Sequence, residues 1–186
     1  MQLRRHLLTA RTAWALLAAL LVIGCTAQPV TGPPRPAAFN ATDTAWIQLM
    51  IPMNERARLL TGLAPARTKD PALVALAART GTRLEEELAG LRELLALSGV
   101  PDTRPHEGHD MPGMVGLGTL GRAEKTTGRE FERILTDGLR AHLAQSRTLC
   151  AGEQTSGGAR EAKDLAAAIA RNAGRELDRL ATDPRP

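Results

Sequence analysis

Aromatic side chains are nearly missing from this chain, which has no tyrosine, two phenylalanines and two tryptophans in 186 residues. Sheets draw on aromatic and β-branched cross-strand pairs, so this scarcity disfavours a strand-rich fold. Leucine, alanine and arginine are abundant instead, residues that lose little on entering a helix. The expectation is one all-α domain, since the length is short for two. Cysteine is scarce as well, with only Cys25 and Cys150. There is no Cys-x-x-Cys motif, phosphate-binding glycine loop or recognisable Ser/His/Asp grouping. The Glu-x-x-His spacing that di-iron bundles turn inward occurs nowhere. These absences read as a protein that is not an enzyme.

Long apolar runs are lacking except for one, Ala13 to Gly24, which follows the basic start Arg4, Arg5 and Arg11. A charged start and a short apolar segment are the pattern of a signal peptide, and the run is too short to span a bilayer comfortably. It ends in Val22-Ile23-Gly24-Cys25, which resembles the lipobox of bacterial lipoproteins, with Cys25 as the lipidated thiol. Residues 1–24 are then a lipoprotein signal peptide. Residues 25–38, rich in proline, form an extended tether, and residues 39–182 form the folded domain. Two or three acyl chains, at about 0.8 kcal/mol per buried methylene, would hold the protein on the extracytoplasmic face of the cell membrane. Arg4-Arg5 partly resembles a twin-arginine signal, and the export route stays open.

The positive charge is mostly in that leader. The full chain carries +4, but removing residues 1–24 takes away three arginines and no acid, leaving about +1. No compositional support for nucleic-acid binding remains. With Cys25 acylated, Cys150 is the single thiol left, so no intramolecular disulfide is expected. At the end of a helix it reads as a small buried residue rather than a nucleophile.

What is present is an internal repeat. "LAARTGTRLEEEL" from Leu76 and "LAAAIARNAGREL" from Leu165 align at an offset of 89 residues, which also lays "MIPMN" (Met50 to Asn54) over "LRAHL" (Leu139 to Leu143). Each half reads as two helices. The first opens near Asn40 to Asp43, with Trp46, Leu49, Met50, Met53, Ala57 and Leu60 on one face and Pro52 as a kink. The second starts at Asp70-Pro71 and ends at Gly99. The third has a Thr127-x-x-Glu130 capping box before Phe131, Leu135, Gly138, His142, Ser146 and Leu149. The fourth presents Leu165, Ile169, Ala173, Leu177 and Leu180. Neither hairpin can bury its apolar face alone, so a four-helix bundle is expected, with residues 99–124 as a middle loop between hairpins.

Four stretches then resemble a known family: "FNATDTAWIQLMIP", the "MPGM" of the middle loop, "GREFERIL", and the Leu-Ala…Glu-Leu-x-x-Leu ending of each half. In this order they resemble the bacterial ferritin-like proteins catalogued as domain of unknown function 305, over roughly Phe39 to Leu180. The resemblance implies a ferritin-like four-helix bundle and extracytoplasmic metal binding, with copper as the metal. It also implies a histidine pair in the first helix and another in the third. Met53-Asn54 stands at the first position and His142-Leu143 at the second, so only His142 is kept.

Two sets of metal-ligand candidates follow. Met53 and His142 are repeat-equivalent, and a thioether with an imidazole suits Cu(I); the alternative is a methionine that fills space and a hydrogen-bonded core histidine. "HEGHDMPGM" in the middle loop offers His106, His109, Met111 and Met114, two imidazoles and two soft sulfurs within nine residues. The alternative there is a mobile connector with solvated histidines. Glu87 and Glu176 are also repeat-equivalent, but "EEE" at 85–87 reads as a solvated helix face. The function expected is therefore a lipid-anchored protein with residual copper binding in the loop, or else a metal-free structural or interaction module of the envelope. No protein partner is named by any motif.

Overall fold

A computed structural model describes residues 38–182. The lipidation candidate Cys25 and the segments 1–24 and 25–37 lie outside the described residues. Among those described, the structure is helical without a strand. Four long helices, α1 (Ala41–Gly62), α3 (Pro71–Ser98), α5 (Arg129–Ser156) and α6 (Arg160–Thr182), are joined by two short ones, α2 (Ala64–Arg67) and α4 (Leu117–Ala123). The all-α expectation holds. Helices α1 and α3 form one hairpin, α5 and α6 the other, and α1 also packs on α5 and α3 on α6.

The helix ends follow local chemistry. Asn40 caps α1 by accepting from the amides of Thr42 (2.8 Å) and Asp43 (3.1 Å), and Asp43 accepts from the Asn40 amide in return at 2.5 Å. Pro52 lies inside α1 without ending it. Asp70 caps α3 ahead of Pro71, and Gly99 ends it in the left-handed conformation at φ 71°. The expected Thr127 box is not the cap of α5. The N-cap is Gly128 at φ 59°, whose amide donates to the Arg67 carbonyl at 2.8 Å, so contact with the turn after α2 sets this helix start instead of a side chain. The 99–124 connector also contains α4, whose Leu120 and Ala123 are buried in the core.

The interior has two apolar layers. One gathers Leu60, Leu73, Leu76, Leu84, Phe131 and Leu135 with Val115 and Leu120 from the connector. The other gathers Trp46, Ile47, Met50, Leu88, Leu91 and Ile169 around Cys150. Six polar residues are buried with them: Asn54, Glu87 and Ser146 where the two layers meet, and Thr80, His142 and Glu176 alongside the first. Here the solvated-face reading fails. Glu85 and Glu86 are exposed, but Glu87 sits between Leu84 and Leu88 on the stripe that faces inward, and its repeat partner Glu176 is just as enclosed.

Candidate functional site

The middle loop is anchored. Arg56, on α1 and 5 % exposed, turns its guanidinium onto the loop. It donates to the His109 carbonyl at 2.9 Å, to Asp110 Oδ1 at 3.3 Å and to the Glu107 carbonyl. Arg104 pairs with Glu55 at 2.5 Å and with Glu107, and Arg92 holds the other face of Glu55 at 2.7 Å. Burial by itself would raise the Glu55 carboxyl, but these two guanidinium groups keep it below its ordinary value. Arg104 takes φ 49°, a conformation that persists in a non-glycine residue where its neighbours over-determine it.

This clamp shapes the turn that carries the two histidines. The Nδ1 atoms of His106 and His109 stand 3.5 Å apart, with the rings 64° from coplanar. Two imidazole nitrogens bound to one ion at about 2.0 Å, with an angle of about 110–120° between them, would be about 3.3–3.5 Å apart. That separation is compatible with a shared metal ion and equally with a weak N–H···N hydrogen bond between the rings. Both neighbouring acids are committed elsewhere, Glu107 to Arg104 and Asp110 to Arg56. Among the described residues no group of three or more His, Cys, Asp or Glu converges on one point, so further ligands would have to be sulfur, solvent or exogenous.

The two methionines of the loop do not share one place. Met111 is half-buried, whereas Met114 is buried and lines a depression with Val115, Ile134 and Ala141, and His106 lines a separate groove with Trp46 and Leu149. Between the two parts, Gly113 at φ 74° lies flat on α5. A Cβ there would collide with the Gln145 side chain and come within 2.9 Å of the Ala141 carbonyl. The structure brings His106 and His109 together and sets His106 and Met114 on different grooves.

The internal candidates are both enclosed. Met53 is fully buried, and His142 is 1 % exposed. Burial pushes the His142 imidazole down to about 4, partly offset by the Gly113 backbone, and its Nδ1 has no partner. It borders a space of about 10 Å³, at the lower limit for one water, with Thr80, Glu87, Ser146 and Glu176. Met53 is not on that lining. Asn54 donates instead to Glu87 Oε2 at 3.1 Å, and Glu176 is held by Arg179 at 2.8 Å, Arg83 at 3.3 Å and Arg79 at 3.8 Å. Even so, Glu176 Oε1, Thr80 Oγ1 and His142 Nδ1 are buried around this space without a hydrogen-bond partner. Cys150 is also buried, and its thiol is pushed up to about 12, chiefly by burial. A thiol held protonated and enclosed does not act as a nucleophile.

Arg56, Glu87 and Glu176 were missed as site-forming residues. Each occupies a position three residues from a core neighbour (Met53, Leu84 and Ala173), and a charge on an otherwise apolar stripe is the sequence signal that marks them.

The family model described as Domain of unknown function (DUF305) matches residues 43–182, and the chain belongs to that family. A candidate secreted protein of the family from Streptomyces coelicolor is similar in structure, with a TM-score of 0.68 and 17% identity over 76% of this chain and 90% of that one. A family fragment from Deinococcus radiodurans gives a TM-score of 0.67 and 17% identity over 80% of this chain and 97% of that one. At this identity the likeness is one of fold. No curated protein matches the chain.

Proposed function

We propose that this is an extracytoplasmic four-helix protein of ferritin-like architecture, anchored through a lipid on Cys25, that binds a copper ion with His106 and His109. The observation that carries the metal reading is the 3.5 Å separation of the two Nδ1 atoms on a loop clamped by Arg56. A loop whose backbone is already held loses less freedom on binding than a free one. The Streptomyces coelicolor relative, described as secreted, supports an extracytoplasmic site, as does the basic-apolar leader ending at Gly24-Cys25. Among the described residues no helix is long and apolar enough to cross a membrane, in keeping with attachment by the N-terminus.

A metal-free role in the envelope is the second reading. It is favoured by the interior, where Asn54 donates to Glu87 and arginines hold the buried Glu176.

Titration of the full chain with Cu(I) against a competing chelator under reducing conditions separates the two. The metal reading expects saturation with one ion and affinity tighter than micromolar, reduced about tenfold or more in His106→Ala/His109→Ala. Loss of binding in Met53→Ala with the loop intact, or no binding at all, would refute the loop site. Labelled palmitate should enter the parent and not Cys25→Ala.

A further inference from the structure

A groove of about 500 Å³ opens far from the histidine pair, between the start of α3, the first half of α5 and the end of α6. Its floor is apolar, built by the buried Leu73, Leu76 and Leu180 with the methyls of Ala72 and Ala75. Its rim carries Arg79, Arg129, Arg140 and Arg179. The two acids at the edge are engaged: Asp70 accepts from the Ala72 and Leu73 amides, and Glu132 accepts from the Thr68 hydroxyl at 2.5 Å.

Beneath the rim lies Glu176. Its side chain is 1 % exposed, while those of Arg79 and Arg179, which it holds, are 49 % and 53 % exposed. One buried carboxylate thus tethers two guanidinium groups whose outer edges still face solvent. Arg129 makes no hydrogen bond or ion pair among the described residues, and Arg140 pairs only with the exposed Asp137. Guanidinium groups held in place around an apolar floor match a ligand with a carboxylate at one end and a hydrocarbon body at the other. The volume falls in the range that encloses a small organic ligand.

We propose that this groove binds a medium-chain carboxylate, its acyl chain on Leu73, Leu76 and Leu180 and its head group among Arg79, Arg129, Arg140 and Arg179. Head and tail both contribute, so neither a bare anion nor a neutral chain suffices. Because the arginines are partly exposed, added salt weakens binding.

The test is calorimetric titration of the full chain with decanoate, with decanol, acetate and inorganic phosphate as separate arms. Decanoate should saturate a single site about tenfold or more tighter than acetate, phosphate or decanol. Arg129→Ala/Arg140→Ala should weaken it about tenfold, and Ala75→Trp, which fills the groove from an exposed helix position, should abolish it. Circular dichroism checks that each variant keeps its helices. If Ala75→Trp does not fold, the arginine pair carries the test, because both side chains are on the surface. Decanoate binding unchanged in the folded variants would locate it elsewhere, such as on the apolar leader, and overturn the proposal. Equal affinity for decanol would remove the role of the arginines, and equal affinity for phosphate would reduce the groove to an anion site; either refutes it.

Discussion

At the scale of single residues, the buried polar side chains decide how the protein answers to pH. Burial raises the Glu87 carboxyl to about 7, against the lowering influence of Asn54, Asn172 and Arg83. A carboxyl whose folded value lies above its unfolded value of 4.5 contributes stability below 4.5 and loses it as pH rises through 7. His142 is depressed to about 4, so its contribution grows as pH rises from 4 to 6.5 and offsets the Glu87 loss in that interval. The clean measurement is the difference between parent and Glu87→Gln, which keeps an acceptor for Asn54. That difference should be near zero at pH 4.5 and grow to about 1–3 kcal/mol in favour of the variant by pH 8, read from urea melts. A constant difference across that range would mean that Glu87 is not titrating in the folded protein. Glu87 was hidden within "EEE" because three adjacent identical letters look alike, although on a helix they point about 100° apart and only one of them faces the core.

At the scale of elements, the middle loop joins the hairpins and is also held by them. Arg56 reaches it from α1, and Gly113 presses it onto α5, where the Gln145 side chain leaves no room for a Cβ. Gly113→Ala combines an unfavourable φ with that collision. It should cost about 1–3 kcal/mol in thermal or urea unfolding, and it should weaken Cu(I) binding although residue 113 offers no ligand. Unchanged stability would show that the loop yields locally. The sequence marked this stretch as histidine-rich and as a connector, but not as anchored, because an arginine 51 residues away supplies the Glu107 contact. Helix α4 was illegible for a related reason: seven residues with three small or glycine neighbours, "LGTLGRA", form a helix only because Leu120 and Ala123 are buried against the longer helices.

At the scale of the whole molecule, one acid links the hairpins at the end opposite the α2 turn. Asp43 closes the α1 capping box and also accepts from the Gly158 and Ala159 amides at 3.0 Å, while Asn40 Nδ2 donates to the Ser156 carbonyl at 2.9 Å. Burial would raise Asp43, but the amides of Asn40, Ala159 and Gly158 hold it below 3.8, whereas neighbouring Glu153 is pushed up to about 8 by burial and by the Asp43 charge. Asp43→Ala removes both a helix cap and the tie between hairpins, and should cost about 2–4 kcal/mol. A loss below about 0.5 kcal/mol would show that the α5–α6 turn finds other partners for its amides.

By itself, the sequence determined that the chain is helical, where α1 and α3 begin, and where α3 ends. Those properties depend on residue spacing, proline and glycine, and capping side chains, all of which act within a few turns of backbone. Only the tertiary structure decided which charges lie inside, which loop donors meet, and that arginines from α3, α5 and α6 ring one groove. Each of these depends on packing between residues remote in the chain. There, burial changes what a carboxylate or imidazole costs, and a single methyl group decides whether a loop can lie against a helix.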